Sequence, residues 1–498
     1  MNPRKLSLGW AITWLSLLYW PVTLALATRK QFWNDELFTY YISALDTFPR
    51  IWSTLLTAVD QNPPLFYWLT HKATLIDPNL IGLRLPAMFG LWLAALCLMA
   101  FISKRLPPIY GLLAALILLE SRAHWFAYEA RPYGLVLGFA TAALLCWQRS
   151  EGRRAILWTA GLAVSLSLAL SVHYYSVLVF IPIAAAEACR TWFQKRLNWP
   201  VWIALTVAAA SLLLYLPLIR SAQTYSGTFW AKAKITSILG FPPFIGTSAL
   251  LALTGLALLW AVFASSAPRP AGDPPNRSIF PTPEIVAAFG MLFIVPIAVA
   301  LGVFITGAYT ERYAISAVIG LCFLIVWLLA AAFRAASGPA LILAGVFSLA
   351  FMLQGIVYFS GPGAALARYD HRATVRDLEN NFRSDFPIAV ADPILFLELS
   401  HQASPQLRPR LFYIAEPKIA LSRVTTNSVD RGLLGMQSLA SLRVETLEAT
   451  LARGESFLII GYPAQWAWLV DELASRHVPL SVIGSGNGNI VLLAFPKN

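Results

Sequence analysis

The amino-acid sequence predicts a mainly α-helical, polytopic membrane protein that ends in a soluble α/β domain. Three observations support this fold class. The 498 residues are 58% hydrophobic and only 12% charged, with a mean hydropathy of +0.63, whereas soluble domains carry roughly 25% charged residues. Apolar runs of about 20 residues, the length that crosses a bilayer, recur up to residue 360. Beyond that point, short strand-like runs alternate with helical patterns.

Eleven apolar segments are predicted to span the membrane. They are residues 8–28, 85–103, 107–126, 132–148, 155–172, 175–190, 200–219, 243–265, 284–307, 313–333 and 338–359. The first run ends in Ala27-Thr28-Arg29-Lys30 without a convincing signal-peptide cleavage site, so we expect it to be retained as a helix. The four cysteines lie inside apolar runs, which argues against disulfides and cysteine metal sites.

Basic residues predict how these spans are oriented. With the N-terminus in the cytoplasm, every inner loop carries at least one Lys or Arg and few acids, as the positive-inside rule requires. Residues 264–283 then form a flexible cytoplasmic loop, and an odd number of spans places residues 361–498 in the periplasm or extracellular space. We therefore expect a multi-pass protein of the inner (plasma) membrane. The net charge of +12 indicates topology and attraction to anionic membrane lipids, since no nucleic-acid-binding motif is present.

The first external loop, residues 29–84, is too long and too patterned to be a simple connector. Apolar residues recur at helical spacing over 51–59 and again over 65–75. We predict two helices lying along the outer membrane surface, joined at Asn62-Pro63-Pro64, where prolines forbid an uninterrupted helix.

The C-terminal region, residues 361–498, is predicted to form a small α/β layer. Strand-like runs occur at Pro387–Ala391, Leu411–Ala415, Ser456–Gly461, Leu480–Ile483 and Ile490–Ala494. Helical patterns cover Ser438–Arg453 and Ala464–Arg476. The glycine-rich stretch 484–488 precedes a strand rather than a helix, so it is interpreted as a turn and not as a dinucleotide-binding loop.

Charged and aromatic residues collect on the predicted outer face. Asp35 and Glu36 come first; adjacent helical side chains diverge by about 100°, so the two carboxylates need not share one task. Each of these residues, taken alone, has an ordinary structural explanation. Charges at membrane depth are energetically costly, however, and the shared location of these residues favours a functional role over a structural one. Acids there can accept a proton from a hydroxyl, and arginines can bind a phosphate bidentately. No phosphate-binding loop or serine nucleophile elbow is present, so a lipid-phosphate substrate fits better than ATP or an ester.

Six motifs follow one another in a characteristic order. They are Trp33-Asn34-Asp35-Glu36 with Thr39, Asn62-Pro63-Pro64-Leu65-Phe66-Tyr67, Arg84-Leu85-Pro86, Tyr128-Glu129-Ala130-Arg131-Pro132-Tyr133-Gly134-Leu135, His173-Tyr174-Tyr175 and Glu311-Arg312-Tyr313. Over roughly residues 1–335 this series resembles the bacterial branch of the protein O-mannosyltransferase superfamily, the glycosyltransferase family 39-like (dolichyl-phosphate-mannose-protein mannosyltransferase-like) enzymes. The lipid A aminoarabinose transferase is a more distant relative.

The resemblance implies a GT-C fold over residues 1–360 and inverting transfer of a hexose or pentose from a polyprenyl-phosphate donor. The acceptor would be a hydroxyl of a lipid, protein or glycan at the external face. Asp35 would activate or orient that hydroxyl, with Glu36 as its structural or second acidic neighbour. Glu129 would be the acid of the second external loop, the turn near residues 120–134 (the second loop below), a role for which Glu120 and His124 stay alternatives.

The resemblance also implies a set of donor-binding residues. They are Arg131, Arg312, His173, Tyr133 and Arg84. A cofactor is not certain, and the sequence leaves a divalent cation open, with Asp35, Glu129 and His173 as candidate ligands.

Two other functions compete with the glycosyltransferase. A lipid-linked sugar flippase or transporter would place its charges near the membrane midplane, often in repeated halves, and no repeat is visible. A scaffold that recruits partners through residues 361–498 would leave the charged outer face unexplained.

Overall fold

The computed structural model describes residues 7–265, 279–360, 366, 368–382, 386–486 and 489–496. Most of the predicted cytoplasmic loop 264–283 lies outside the described residues, as do residues 487–488 of the predicted turn.

The N-terminal part of the chain is helical. Its α-helices are α1 (Leu8–Arg29), α2 (Asn34–Ser43), α3 (Phe48–Leu55), α4 (Leu65–Thr74), α5 (Leu80–Ile102), α6 (Pro108–Glu120), α7 (Tyr133–Arg149), α8 (Ala155–Val172), α9 (Phe180–Gln194), α10 (Trp199–Ala210), α11 (Leu216–Ala222), α12 (Phe241–Ile245), α13 (Ser248–Ser265), α14 (Thr282–Leu292), α15 (Ile294–Leu301), α16 (Ala317–Ala332) and α17 (Ser337–Ser360). Short 3₁₀ helices include Arg122–Tyr128, Tyr174–Val179 and Glu311–Ala314.

Each of the eleven predicted spans coincides with a helix or a bent pair of helices. In the part of the chain that the structure describes, three pairs bend by more than 40°. The sharpest bends are 82° between 235–245 and 248–263, and 72° between α6 and 122–128. At the second of these, Ser121 leaves the helical conformation and its hydroxyl accepts a hydrogen bond from the Ala123 N–H, which starts the new turn. Among the described residues, six helices are long and apolar enough to cross a membrane, or up to nine if each bent pair is one span. A multi-pass protein is confirmed; the count of eleven is not.

The loop between α1 and α5 contains three short helices where two were predicted. Helices α3 and α4 correspond to the predicted pair, and α4 begins directly after Pro64. The additional helix is α2, ten residues long, and it carries Asp35 and Glu36 in its first turn.

The C-terminal region contains a six-stranded sheet flanked by helices. Its elements are α18 (Arg372–Asn381), β1 (Ile388–Val390), α19 (Pro393–Gln402), β2 (Leu411–Ile414), α20 (Pro417–Val424), α21 (Ser428–Met436), β3 (Val444–Glu445), α22 (Leu447–Ala452), β4 (Phe457–Tyr462), α23 (Leu469–Ser475), β5 (Leu480–Gly486) and β6 (Asn489–Ala494). The strand order is β3-β2-β1-β4-β6-β5. Strands β1 to β4 pair in parallel, whereas β6 is antiparallel to both β4 and β5.

One helix prediction in this region is wrong. Strand β3 interrupts the helix predicted for Ser438–Arg453, and α22 begins only after Thr446, whose hydroxyl accepts a hydrogen bond from the Ala449 N–H. The short strand is held by pairing with β2, a long-range contact that local helical periodicity does not report.

The C-terminal region packs directly against the external loop. Phe396 of α19 and Leu433 and Met436 of α21 belong to the same hydrophobic cluster as Leu37 and Ile42 of α2. The helix that carries Asp35 therefore lies between the membrane helices and the C-terminal region. The boundary at residue 360 and the external placement of the C-terminal region stay predictions.

Candidate active site

A cavity of about 430 Å³ opens beside the first turn of α2, within the size range of ligand-binding clefts. One wall is apolar and comes from the membrane helices and their ends, including Val177, Leu212 and Ile305. Another wall is formed by helix α21 of the C-terminal region, beginning at Ser428. Polar and aromatic side chains close the end near α2.

Asp35 lies at the polar end of the cavity and pairs with Arg312. The Arg312 Nη1 donates to the Asp35 Oδ2 across 2.8 Å, and the Asp35 side chain is 21% exposed. The guanidinium of Arg312 lies 5.8–5.9 Å from the ring centres of Trp33, Tyr133 and Trp230, within cation–π range. Its buried Nε has no hydrogen-bond partner, so a donor is available beside the Asp35 carboxylate.

Arg131 occupies the same end of the cavity. Its Nη1 donates to the Asp60 Oδ2 at 2.7 Å and to the Asp35 carbonyl oxygen at 3.1 Å. Burial would raise the pKa of Asp60, but the Arg131 charge outweighs it and holds that pKa below its ordinary value. The Nε of Arg131 is also buried without a partner. The polar end thus combines two carboxylates with two guanidinium groups that keep unused donors.

His173 and Tyr133 line the cavity next to these charges. The Tyr175 N–H donates to the His173 Nδ1 at 3.2 Å, so Nδ1 is an acceptor and the proton of the neutral ring is on Nε2. The His173 ring lies 5.5 Å from that of Tyr133 and 5.3 Å from that of Tyr313. This aromatic wall can stack against a sugar ring, and the Nε2–H can donate to one of its oxygens.

Glu36 points away from the cavity into a fully buried ion-pair network. Its carboxylate contacts Lys30 Nζ at 2.5 Å and Arg84 Nε at 2.8 Å, and it accepts the Ala130 N–H at 2.7 Å. Burial opposes ionisation, but the charges of Arg84 and Lys30 outweigh it and lower the pKa of Glu36 to about 2. Arg84 also donates to the carbonyl oxygens of residues 27 and 30. Glu36 and Arg84 therefore tie α1, α2, α5 and the second loop together and do not line the cavity.

Glu129 lies on the same buried network as Glu36. Its carboxylate accepts from the Trp125 indole at 3.1 Å and is 3.5 Å from Lys30 Nζ. Burial raises the pKa of Glu129, and the Lys30 ammonium offsets this only in part. Glu129 does not line the cavity, whereas its neighbour Arg131, two residues along, does.

The two alternatives to Glu129 also lie outside the cavity lining. The carboxylate oxygens of Glu120 are buried without a hydrogen-bond partner, and His124 Nε2 contacts the Thr23 hydroxyl at 2.9 Å. Of the candidate metal ligands, Asp35 and His173 line the cavity and Glu129 does not. Among the described residues, no three His, Cys, Asp or Glu side chains are grouped so that they could hold a metal ion.

Solved structures share this architecture over nearly the whole chain. No protein-family model and no curated protein matches the sequence. The crystal structure of ArnT from Cupriavidus metallidurans in the apo state matches with a TM-score of 0.62 at 12% identity, covering 97% of this chain and 98% of that one. The structure of the same protein bound to undecaprenyl phosphate matches with a TM-score of 0.58 over the same shares.

The chain has an ArnT-like GT-C fold. The fold expected from the ordered motifs is thereby confirmed. Within this GT-C fold, the motifs that are far apart in sequence converge as two sets: Asp35, Tyr133, Arg131, His173 and Arg312 around the cavity, and Glu36, Arg84 and Glu129 in the buried network behind it.

Two charged residues that pair with members of these sets were not singled out from the sequence. Asp60 precedes the Asn62-Pro63-Pro64 motif by two residues, and this proximity could have identified it as a candidate site residue. Lys30 follows a membrane helix, where a lysine ordinarily reaches towards the lipid headgroups, so nothing local indicates that it is buried between Glu36 and Glu129.

Proposed function

We propose that this protein is an inverting membrane glycosyltransferase that moves a sugar from a polyprenyl-phosphate donor to an acceptor hydroxyl. The observation that carries the proposal is one cavity that has two carboxylates and two guanidinium groups with unpaired N–H donors at its polar end, and an apolar wall from the membrane helices. Such a cavity suits a lipid tail, a phosphate and a sugar together. The ArnT structure bound to undecaprenyl phosphate supports a lipid-linked donor for this fold.

Arg131 and Arg312 are proposed to bind the donor phosphate. Negative charge grows on the phosphate as its bond to the sugar breaks, and preorganised guanidinium groups stabilise that charge best in a water-poor site. Each arginine is already held by a carboxylate, Asp60 or Asp35, so its position is set before the donor arrives. Each retains a buried Nε–H without a partner, and arginine suits bidentate phosphate binding.

Asp35 is proposed to act on the acceptor. Its carboxylate is partly exposed to the cavity, so it can accept a proton from a hydroxyl as that oxygen attacks the anomeric carbon. The new carbon–oxygen bond forms while the sugar–phosphate bond breaks, the electron pair leaves with the phosphate, and the proton goes to Asp35. One displacement inverts the anomeric carbon and needs no covalent enzyme intermediate.

Glu36 and Arg84 are proposed to support the site rather than to touch the substrate. Both are buried in a network that joins α2 to the second loop, so they fix Asp35 and Arg131 relative to each other. Glu129 is proposed to balance the charge of Lys30 in that network. We place the site at the periplasmic face of the inner membrane, with the N-terminus in the cytoplasm, as the basic loops predict.

The test is transfer by the purified protein in lipid nanodiscs supplied with labelled polyprenyl-phosphate pentose or hexose and with lipid, glycan or peptide acceptors. The proposal predicts release of polyprenyl phosphate and a new glycosidic bond of inverted configuration. Movement of the intact labelled lipid across a liposome membrane without bond formation would instead identify a flippase and would refute the proposal.

A further inference from the structure

The helix that carries Asp35 begins without a cap of its own. Trp33 occupies the position before α2, and it makes no side-chain hydrogen bond to the exposed N–H groups of the first turn. Serine, threonine, aspartate or asparagine usually supplies that hydrogen bond. The Trp33 carbonyl oxygen accepts the Glu36 N–H, but the Asn34 N–H, at the start of the turn, requires an acceptor from outside the helix.

A glutamate of the C-terminal region supplies this acceptor. Glu398 of α19 accepts the Asn34 N–H on its Oε1 at 2.8 Å, although the two residues are 364 positions apart in the chain. Its other oxygen is 2.6 Å from the His371 Nε2. The Glu398 side chain is almost fully buried, and a carboxylate at a helix N-terminus is electrostatically favourable.

Further contacts keep α2 against the C-terminal region. The Tyr41 hydroxyl lies 3.2 Å from the His401 Nδ1, near the other end of α2. A Cβ added to Gly432 of α21 would lie 3.3 Å from the ring of Phe38. Helix α2 is thus held at its first turn, its middle and its last turn.

We propose that Glu398 is a positioning residue for Asp35, and that the C-terminal region is an integral part of the catalytic unit rather than a recruitment module. Asn34 is the residue before Asp35, so the Glu398 hydrogen bond fixes the backbone of the turn that aims the carboxylate at the acceptor. This inference rests on the proposed transferase function.

The experiment compares Glu398→Ala and Glu398→Gln with the wild type in the full-length protein, with Glu448→Gln as matched control. Glu448 is an exposed glutamate of α22 in the same region. A misplaced reacting group of this kind costs about tenfold to a hundredfold in kcat, so Glu398→Ala is expected to lose that much with the donor KM unchanged. Glu398→Gln keeps an acceptor oxygen for the Asn34 N–H and is expected within about twofold of wild type, as is the control.

Two further measurements separate positioning from general stability. In an Asp35→Asn background, Glu398→Ala should cause no further loss of kcat, because both changes remove the same contribution, that of a correctly placed Asp35 carboxylate. Amide hydrogen exchange in residues 34–43 should speed up in Glu398→Ala alone. Unchanged exchange there, a Glu398→Gln rate as low as that of Glu398→Ala, or additive losses with Asp35→Asn would overturn the proposal. If Glu398→Ala speeds up exchange in α2 but the wild-type protein transfers no sugar, the anchoring of α2 by Glu398 is supported and the proposed function is refuted.

Discussion

Replacing Glu36 by Gln is expected to destabilise the folded protein strongly, whereas the same change at its neighbour Asp35 is not. Glu36 is fully buried between Lys30 and Arg84, and removing one partner of such a network leaves an uncompensated buried charge, which costs about 3–5 kcal/mol. The charges of Arg84 and Lys30 hold the pKa of Glu36 below its ordinary value, which has the same sign: the folded state favours the ionised carboxylate.

The sign of the pH dependence follows from the lowered pKa. The Glu36 contribution is fully present above pH 4.5 and is lost as the pH falls from 4.5 towards 2. The difference in unfolding free energy between wild type and Glu36→Gln should therefore be large at pH 7 and shrink over that interval. Asp35→Asn is the matched control, because its pair with Arg312 is more exposed than the Glu36 network and its loss is expected to cost less than that of Glu36.

The assay is denaturant-induced unfolding of each purified protein in the same detergent at several pH values. A Glu36→Gln protein within about 1 kcal/mol of wild type at pH 7, or a deficit that does not change with pH, would contradict the role assigned to the network.

Two predictions concern the donor phosphate. Arg312→Ala should weaken binding of undecaprenyl phosphate, measured by titration in nanodiscs, by about tenfold to a hundredfold because charge-assisted hydrogen bonds are lost. Arg312→Lys should recover only part of this affinity, since an ammonium lacks the guanidinium fork. Full recovery of the affinity would exclude a bidentate contact. Asp60→Asn should lower the unfolding free energy by about 3–5 kcal/mol, because it leaves the buried Arg131 without its charged partner. It should also raise the donor KM; an unchanged KM would show that Arg131 does not need Asp60 to reach the phosphate.

Hydropathy was enough to predict the helical part of the fold, because each membrane helix is set by a local apolar run. The bends were not predicted, since they depend on single residues such as Ser121 that leave the helical conformation inside an apolar stretch. Helix α2 was missed for a related reason. Its first turn is stabilised by Glu398, a contact between distant parts of the chain that no local pattern contains.

The order of the motifs predicted a set of site residues, and the structure brings Asp35, Arg131 and Arg312 together around the cavity. Their roles stay predictions. Adjacency in sequence did not indicate that Asp35 and Glu36 point to different surroundings, although their divergence on a helix allowed it. The buried position of Lys30 could not be read from the chain, because burial of a lysine depends on carboxylates from two other elements.

In the proposed mechanism, Asp35 activates the acceptor while Arg131 and Arg312 hold the donor. The most direct measurement is the single-turnover rate of sugar transfer by wild type and Asp35→Asn, each preloaded with the same polyprenyl-phosphate sugar. We predict that donor-saturated Asp35→Asn transfers the sugar about 10²- to 10⁴-fold more slowly than donor-saturated wild type. Transfer by Asp35→Asn at the wild-type rate would refute the role of Asp35 as the acceptor base.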